Sequence, residues 1–104
     1  MALLEFARLM AEAKRLEAEH AGDPAMIAAV MRAVLDKEAA ELRAGETVTL
    51  VSVTFDQLDA ASQATGVIFE TRVDRQTRTL IFLSGLAMSG GANVLKATAI
   101  YRIG

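Results

Sequence analysis

Apolar residues recur at a helical period near the start of the chain. Leu3, Phe6, Leu9, Met10, Ala13 and Leu16 fall three or four positions apart, with Glu5, Arg8, Glu12 and Arg15 between them. That spacing predicts an amphipathic helix over about residues 1–20. The segment His20-Ala21-Gly22-Asp23-Pro24 then interrupts the pattern. Gly22 suits a helix end, Asp23 can accept hydrogen bonds from first-turn amides, and Pro24 suits the first helical position, where an N–H has no intrahelical partner to lose. A second helix is therefore expected over 23–44. It carries Met26, Ile27, Val30, Met31, Val34 and Leu35, fills its other faces with Ala28, Ala29 and Ala33, and has Arg32 as the only charge between Ala25 and Leu35. A helix apolar on nearly all sides reads as buried. Its last turns hold Asp36, Lys37, Glu38, Glu41 and Arg43 before Ala44-Gly45, so it is expected to begin deep and end in water.

From residue 46 to 103 the period changes to two. Thr47 to Phe55 is rich in β-branched residues, and its inward set moves from Val48 and Leu50 to Val51, Val53 and Phe55, which calls for a bulge or for burial on both faces. After a polar link from Asp56 to Ala61, Val67, Phe69 and Val73 alternate with Ile68, Glu70 and Arg72. Thr79 to Met88 is apolar on both faces, the mark of a central strand, and Ser89-Gly90-Gly91-Ala92-Asn93 is a turn between strands. The last strand sets Leu95, Ala97, Ala99, Tyr101 and Ile103 against Lys96, Thr98 and Arg102. Short connections between strands imply an antiparallel meander, because parallel neighbours need long crossovers. The class is α+β.

A length of 104 residues fits one domain, 1–104. With 53% hydrophobic residues and few aromatics, the core must be aliphatic, and the apolar surplus in so small a domain predicts a subunit interface, giving a homodimer or a dimer of dimers. The net charge of −2, without a basic stripe, disfavours a nucleic-acid partner. The chain has no cysteine, which excludes disulfides, thiolate nucleophiles and sulfur-based metal sites. Charges at Glu5, Arg8 and Glu12 leave neither a signal peptide nor a membrane span at the N-terminus, so the cytoplasm is the expected compartment. His20 is the only histidine, and its place beside Asp23 in a loop suits a helix junction better than a triad or a metal ligand. No cofactor and no metal are called for.

A buried helix followed by a meander of long strands resembles the hotdog fold of the acyl-CoA thioesterase superfamily, in which the sheet wraps a central helix and two subunits pair. The strand Thr47-Val-Thr-Leu-Val-Ser-Val-Thr-Phe55 resembles the family's first strand after its helix. Arg78-Thr-Leu-Ile-Phe82 is similar to its turn into the next-to-last strand, and Leu95-Lys-Ala-Thr-Ala-Ile-Tyr-Arg-Ile103 is similar to its closing strand. The likeness runs over about residues 23 to 104. Two departures stand out. The family usually begins with a strand where this chain has an extra N-terminal amphipathic helix, so the sheet is expected to be one strand short. Many members also open the central helix with His-Gly-Gly and carry an Asp or Glu a little over two turns later, where this chain has Asp23-Pro24-Ala25 and Arg32.

These departures bear on chemistry. Pro24 has no amide hydrogen to stabilise an oxyanion, the Asp23 carboxylate opposes negative charge there, and Arg32 stays protonated and cannot act as a base. Asp36, one turn further on the same face, is the first candidate acid and Asp23 the second. For binding, Arg72, Arg75 and Arg78 around one hairpin suit coenzyme A phosphates, since guanidinium groups match phosphate oxygens in pairs. Arg32 and Met31 are placed beside the acyl chain. The resemblance thus implies a thioesterase-like protein that binds or hydrolyses an acyl-CoA-type thioester. The alternative is a non-catalytic hotdog dimer serving as a ligand-binding or protein-interaction module. A third class is a helix-on-sheet interaction module outside this superfamily.

Overall fold

The computed structural model describes residues 2–17, 21–58 and 64–104, without the side chain of Leu4. The first helix, α1, runs Leu3–Ala13, shorter than its apolar period suggested. Lys14 closes it in the left-handed conformation (φ 54°), its N–H turned back to the carbonyls of Ala11 and Met10. The chain then extends as β1, Arg15–Leu16, which pairs antiparallel with Ile68 and Val67. The expectation of a sheet one strand short is therefore corrected. Leu16 satisfied the helical spacing and a strand equally well, and a two-residue strand has no alternation to detect.

The long helix, α2, runs Pro24–Leu42. Asp23 caps it as expected, accepting the Ala25 N–H at 3.0 Å, with Pro24 at the first position. Ile27, Val30, Met31, Val34, Leu35 and Ala39 form one fully buried stripe. The helix does not begin deep and end wet: Pro24 and Ala25 are exposed while Ala39, near its other end, is buried. Burial follows the stripe that faces the sheet, and position along the axis does not decide it.

Four long strands follow: β2 (Val48–Gln57), β3 (Val67–Gln76), β4 (Leu80–Ser89) and β5 (Ala92–Ile103). All pairings are antiparallel, and the five-stranded order is β1-β3-β4-β5-β2. The β4–β5 hairpin turns through Gly90 and Gly91, both at positive φ (57° and 83°), the geometry that a two-residue turn between twisted strands requires. In β2 the register shifts between Leu50 and Ser52, placing a bulge at Val51. The bulge resets the alternation, so that Val48, Leu50, Val53 and Phe55 lie opposite Ile103, Tyr101, Ala99 and Ala97 on one face. Val51 itself is exposed and leaves the inward set.

The inner face of the sheet, toward α2, carries Phe69, Ile81, Leu83, Ala87, Leu95, Ala97, Ala99 and Tyr101, all buried. Gly85 lies among them because a Cβ there would collide with Sδ of Met31, the side chain that α2 lays across the centre of β4. The outer face carries Ile68, Phe82, Leu86, Met88 and Ile100, each at least partly exposed. A long helix wrapped by an antiparallel sheet, with an additional N-terminal helix, is the hotdog-type α+β architecture expected from the sequence.

Candidate functional site

Polar chemistry concentrates in the second half of α2. Tyr101, on the inner face of β5, is almost fully buried, and its hydroxyl donates to Oδ1 of Asp36 at 2.6 Å. One turn earlier on the helix, Nε of Arg32 approaches both carboxylate oxygens of Asp36 at 3.1 Å. Burial pushes the Tyr101 phenol above its ordinary range, and the hydrogen bond to the Asp36 carboxylate pushes it further in the same direction. Asp36 is thus fixed from two sides by a buried phenol on the sheet and a guanidinium on its own helix. The sequence offered a signal for Tyr101: an inward-facing tyrosine needs a partner for its hydroxyl. The alternation of the last strand puts Tyr101 on the inward face, and the fold supplies the partner of its hydroxyl.

Asp36 also lines a cleft of about 430 Å³ between α1 and α2, with Arg8, Ala11 and Glu12 on α1 and Ala33 and Lys37 on α2. Both helices present an i, i+3, i+4 edge to it, and the two alanines leave the space between the helices unfilled. Lys37 donates to Glu41 at 2.7 Å, which holds the ammonium above and the carboxylate below their ordinary ranges.

The other residues singled out in the sequence fall in different places. Asp23 serves the helix cap, and thirteen residues separate it from Asp36, about 20 Å along the axis. Met31 lies wholly inside the core against Gly85. Arg72 and Arg75 register with Ser84 and Phe82 on the outer face, so the sheet separates them from Asp36 within one protomer. Arg72 pairs with Asp74 at 3.0 Å. They flank a second hollow only in part: a depression of about 390 Å³ is lined by Glu70, Thr71, Arg72, Ser84, Leu86 and Lys96 among others. Arg78 sits in the β3–β4 turn, where its carbonyl and that of Thr77 accept from the Arg43 guanidinium at 3.1 Å, tying the end of α2 to the hairpin. The sequence reading did not single out Arg43. His20 lies outside the described residues.

No family model matches the chain, and no curated protein is significantly similar to it in sequence. Solved structures are similar in fold. A conserved protein of Pseudomonas aeruginosa, PA5202, superposes with a TM-score of 0.72 at 12% identity, over 86% of this chain and 77% of that one. The protein smu.793 of Streptococcus mutans UA159, solved bound to acetyl CoA, gives 0.68 at 11% identity over 86% and 77%. A hypothetical thioesterase of Streptococcus pneumoniae TIGR4, solved with coenzyme A, gives 0.66 at 15% identity over 78% of this chain and 62% of that one. The present chain spans less than two thirds of that last protein. Among the described residues, no helix is long and apolar enough to cross a membrane. With a central helix, an antiparallel sheet in the order β1-β3-β4-β5-β2 and these neighbours, the chain has the hotdog fold.

Proposed function

We propose that the protein binds an acyl-CoA-type thioester and that Asp36 is the group through which any hydrolysis runs. The observation that carries this reading is the shared fold of two neighbours, one solved with coenzyme A and one with acetyl CoA. Asp36 supports the hydrolytic part because it lines a cleft and, unlike Glu12 beside it, is held in place by groups from two elements. In that reaction water adds to the thioester carbonyl, its proton passes to the Asp36 carboxylate, and the C–S bond breaks, with the proton returned to the leaving thiolate. The products are a carboxylic acid and a free thiol. Arg78 in the hairpin turn, with Arg72 and Arg75 on the adjoining strand, is assigned to the phosphates of the coenzyme and Arg32 to the acyl side, while Met31, sealed between α2 and β4, belongs to the core.

The second reading, a hotdog dimer that binds a ligand or partner without catalysis, has its own support at the opening of α2. There Pro24 has no N–H, and the Ala25 N–H is already taken by Asp23, so the first two positions of the helix offer no amide to an oxyanion. Both readings include a homodimer or a dimer of dimers. A second copy is favoured by the free edge of β3, since among the described residues β1 pairs only with Val67 and Ile68 and leaves Glu70–Gln76 unpaired on that side. The protein is assigned to the cytoplasm.

The test is thiol release from short, long and aromatic acyl-CoA esters, read with a thiol reagent to which this cysteine-free chain is silent. Turnover that scales with protein and is lost in Asp36→Asn supports hydrolysis through Asp36. Turnover that survives the substitution removes Asp36 from the reaction. Retention of acyl-CoA without release selects the non-catalytic reading.

A further inference from the structure

The cleft between α1 and α2 has an origin, a charge pattern and a shape that together specify a ligand. Its floor exists because Ala11 and Ala33, on facing helix edges, leave between them the space a larger side chain would fill. On the opposite side of α2 the helix meets the sheet through Met31 and Leu35 and leaves no room even for a Cβ at Gly85. Four charged side chains line the cleft, Arg8 and Lys37 against Glu12 and Asp36. Asp36 accepts from Arg32 and Tyr101, and Lys37 donates to Glu41 and feels the field of Glu12. Arg8 and Glu12, one turn apart on α1, are both exposed and make no hydrogen bond or ion pair among the described residues, which leaves one guanidinium free to donate into the cleft. An apolar floor below one unengaged guanidinium suits an apolar body with a polarised carbonyl or carboxylate end. At about 430 Å³ the cleft matches a small molecule and is too small for a whole coenzyme.

We propose that the α1–α2 cleft is the seat of a short acyl group, with the chain over Ala11 and Ala33, the carbonyl oxygen accepting from Arg8, and Asp36 on the facing wall. The assignment rests on the thioester reading for the identity of the acyl donor, while the cleft itself is testable with a free acid. It makes α1, the helix that precedes the first strand, one wall of the binding site.

The protein supplies its own reporter, since Tyr101 is the only tyrosine, the chain has no tryptophan, and its hydroxyl bonds to the carboxylate that lines the cleft. Hexanoate, transparent in the ultraviolet, is titrated against tyrosine emission, and hexanoyl-CoA and coenzyme A are measured by equilibrium dialysis. Arg8→Gln removes the donor at an exposed position, Ala33→Leu fills the floor, and Arg102→Gln on the outer face is the control. The expected result is a saturable change in emission with hexanoate and retention of hexanoyl-CoA. Both should weaken about tenfold or more in Arg8→Gln and Ala33→Leu, as loss of a charge-assisted contact or of the space itself requires, and hold in the control. Hexanoyl-CoA retained equally by all four proteins places the acyl group elsewhere and overturns the proposal. A cleft-dependent response to hexanoate without retention of hexanoyl-CoA keeps the acyl seat and overturns the thioester reading. Silence toward hexanoate together with no retention overturns both.

Discussion

The two faces of α2 are built from the same kind of residue and end in opposite states. Toward the sheet, Met31 and Leu35 close on Gly85 so tightly that a Cβ would have to displace Met31. Toward α1, Ala33 faces Ala11 across an open cleft that Asp36 and Lys37 also line. The apolar content of the helix does not distinguish these faces. What separates them is size matching: a long side chain against a glycine fills the gap, and a short one against a short one leaves it. The closed face carries stability, and the open face is where a ligand and a polar network have room.

The largest effect that tests this contrast lies on the closed face. Met31→Ala should cost about 2–5 kcal/mol, because the buried side chain leaves a cavity between α2 and β4. Gly85→Ala should cost about 1–3 kcal/mol by overpacking the same place. The double variant should be more stable than the sum of the two losses implies, by about 1 kcal/mol or more, since the new methyl enters the space Met31 vacates. Chemical denaturation of the four proteins measures this cycle. Strict additivity would mean that the two residues do not share one space and that the closed face is looser than its geometry shows.

A second effect comes from Tyr101, where the closed face meets the polar network. Its folded-state phenol is raised above the unfolded value by burial first and by the bond to Asp36 second. The unfolded chain therefore loses the tyrosine proton near its ordinary value of about 10 while the folded chain retains it. Above that pH the unfolded state binds fewer protons, so this contribution is intact below about pH 10 and is lost as the pH rises further, by about 1.4 kcal/mol per unit. Tyrosinate absorbance should appear together with loss of the helical circular dichroism signal, and Tyr101→Phe should flatten the alkaline limb of the stability profile. Absorbance that rises while the fold is intact would show a phenol open to water and no barrier between core and network. A smaller loss belongs to the helix opening, remote from both faces. Asp23→Ala should cost about 1 kcal/mol by freeing the Ala25 amide, with thiol release or acyl-CoA retention unchanged if Asp23 only caps the helix.

These contrasts also show what the chain discloses by itself. The buried stripe of α2, its Asp23-Pro24 opening and the Gly90-Gly91 hairpin are local patterns, and local spacing or turn chemistry reveals them. The bulge at Val51 was legible as a change of phase, though not which residue would be left out. The strand β1 was hidden because Lys14 takes a left-handed conformation that no glycine announces, and because the partner of Leu16, Val67, lies 51 residues away. The candidate site was half visible. Asp36 was found by counting turns, but Tyr101 lies 65 residues further on, and only the wrapping of β5 onto α2 joins them. Arg72 and Arg75 shared a hairpin with Arg78 in sequence, yet strand alternation puts them on the face away from Asp36. Sequence proximity could not reveal that separation, because it depends on which side of β3 the helix covers.

The smallest stability effect is the most informative about the comparison. Ala33→Leu adds on the open face a side chain like those of the closed one. Ala33 is partly exposed, so the new side chain points into a cleft already lined by Ala11 and needs no displacement of a neighbour. Its burial removes apolar surface from water at about 25 cal/mol per Å², partly offset by the rotamer freedom the leucine gives up. The net change should lie between zero and about 1 kcal/mol of stabilisation, opposite in sign to Gly85→Ala although both substitutions enlarge a residue beside α2. Denaturant midpoints of the two variants, measured side by side, decide the matter. A stabilised or unchanged Ala33→Leu beside a destabilised Gly85→Ala means the helix has one full face and one with space to fill. Equal losses would mean that α1 is packed as closely as the sheet and that a ligand can enter only if α1 moves away.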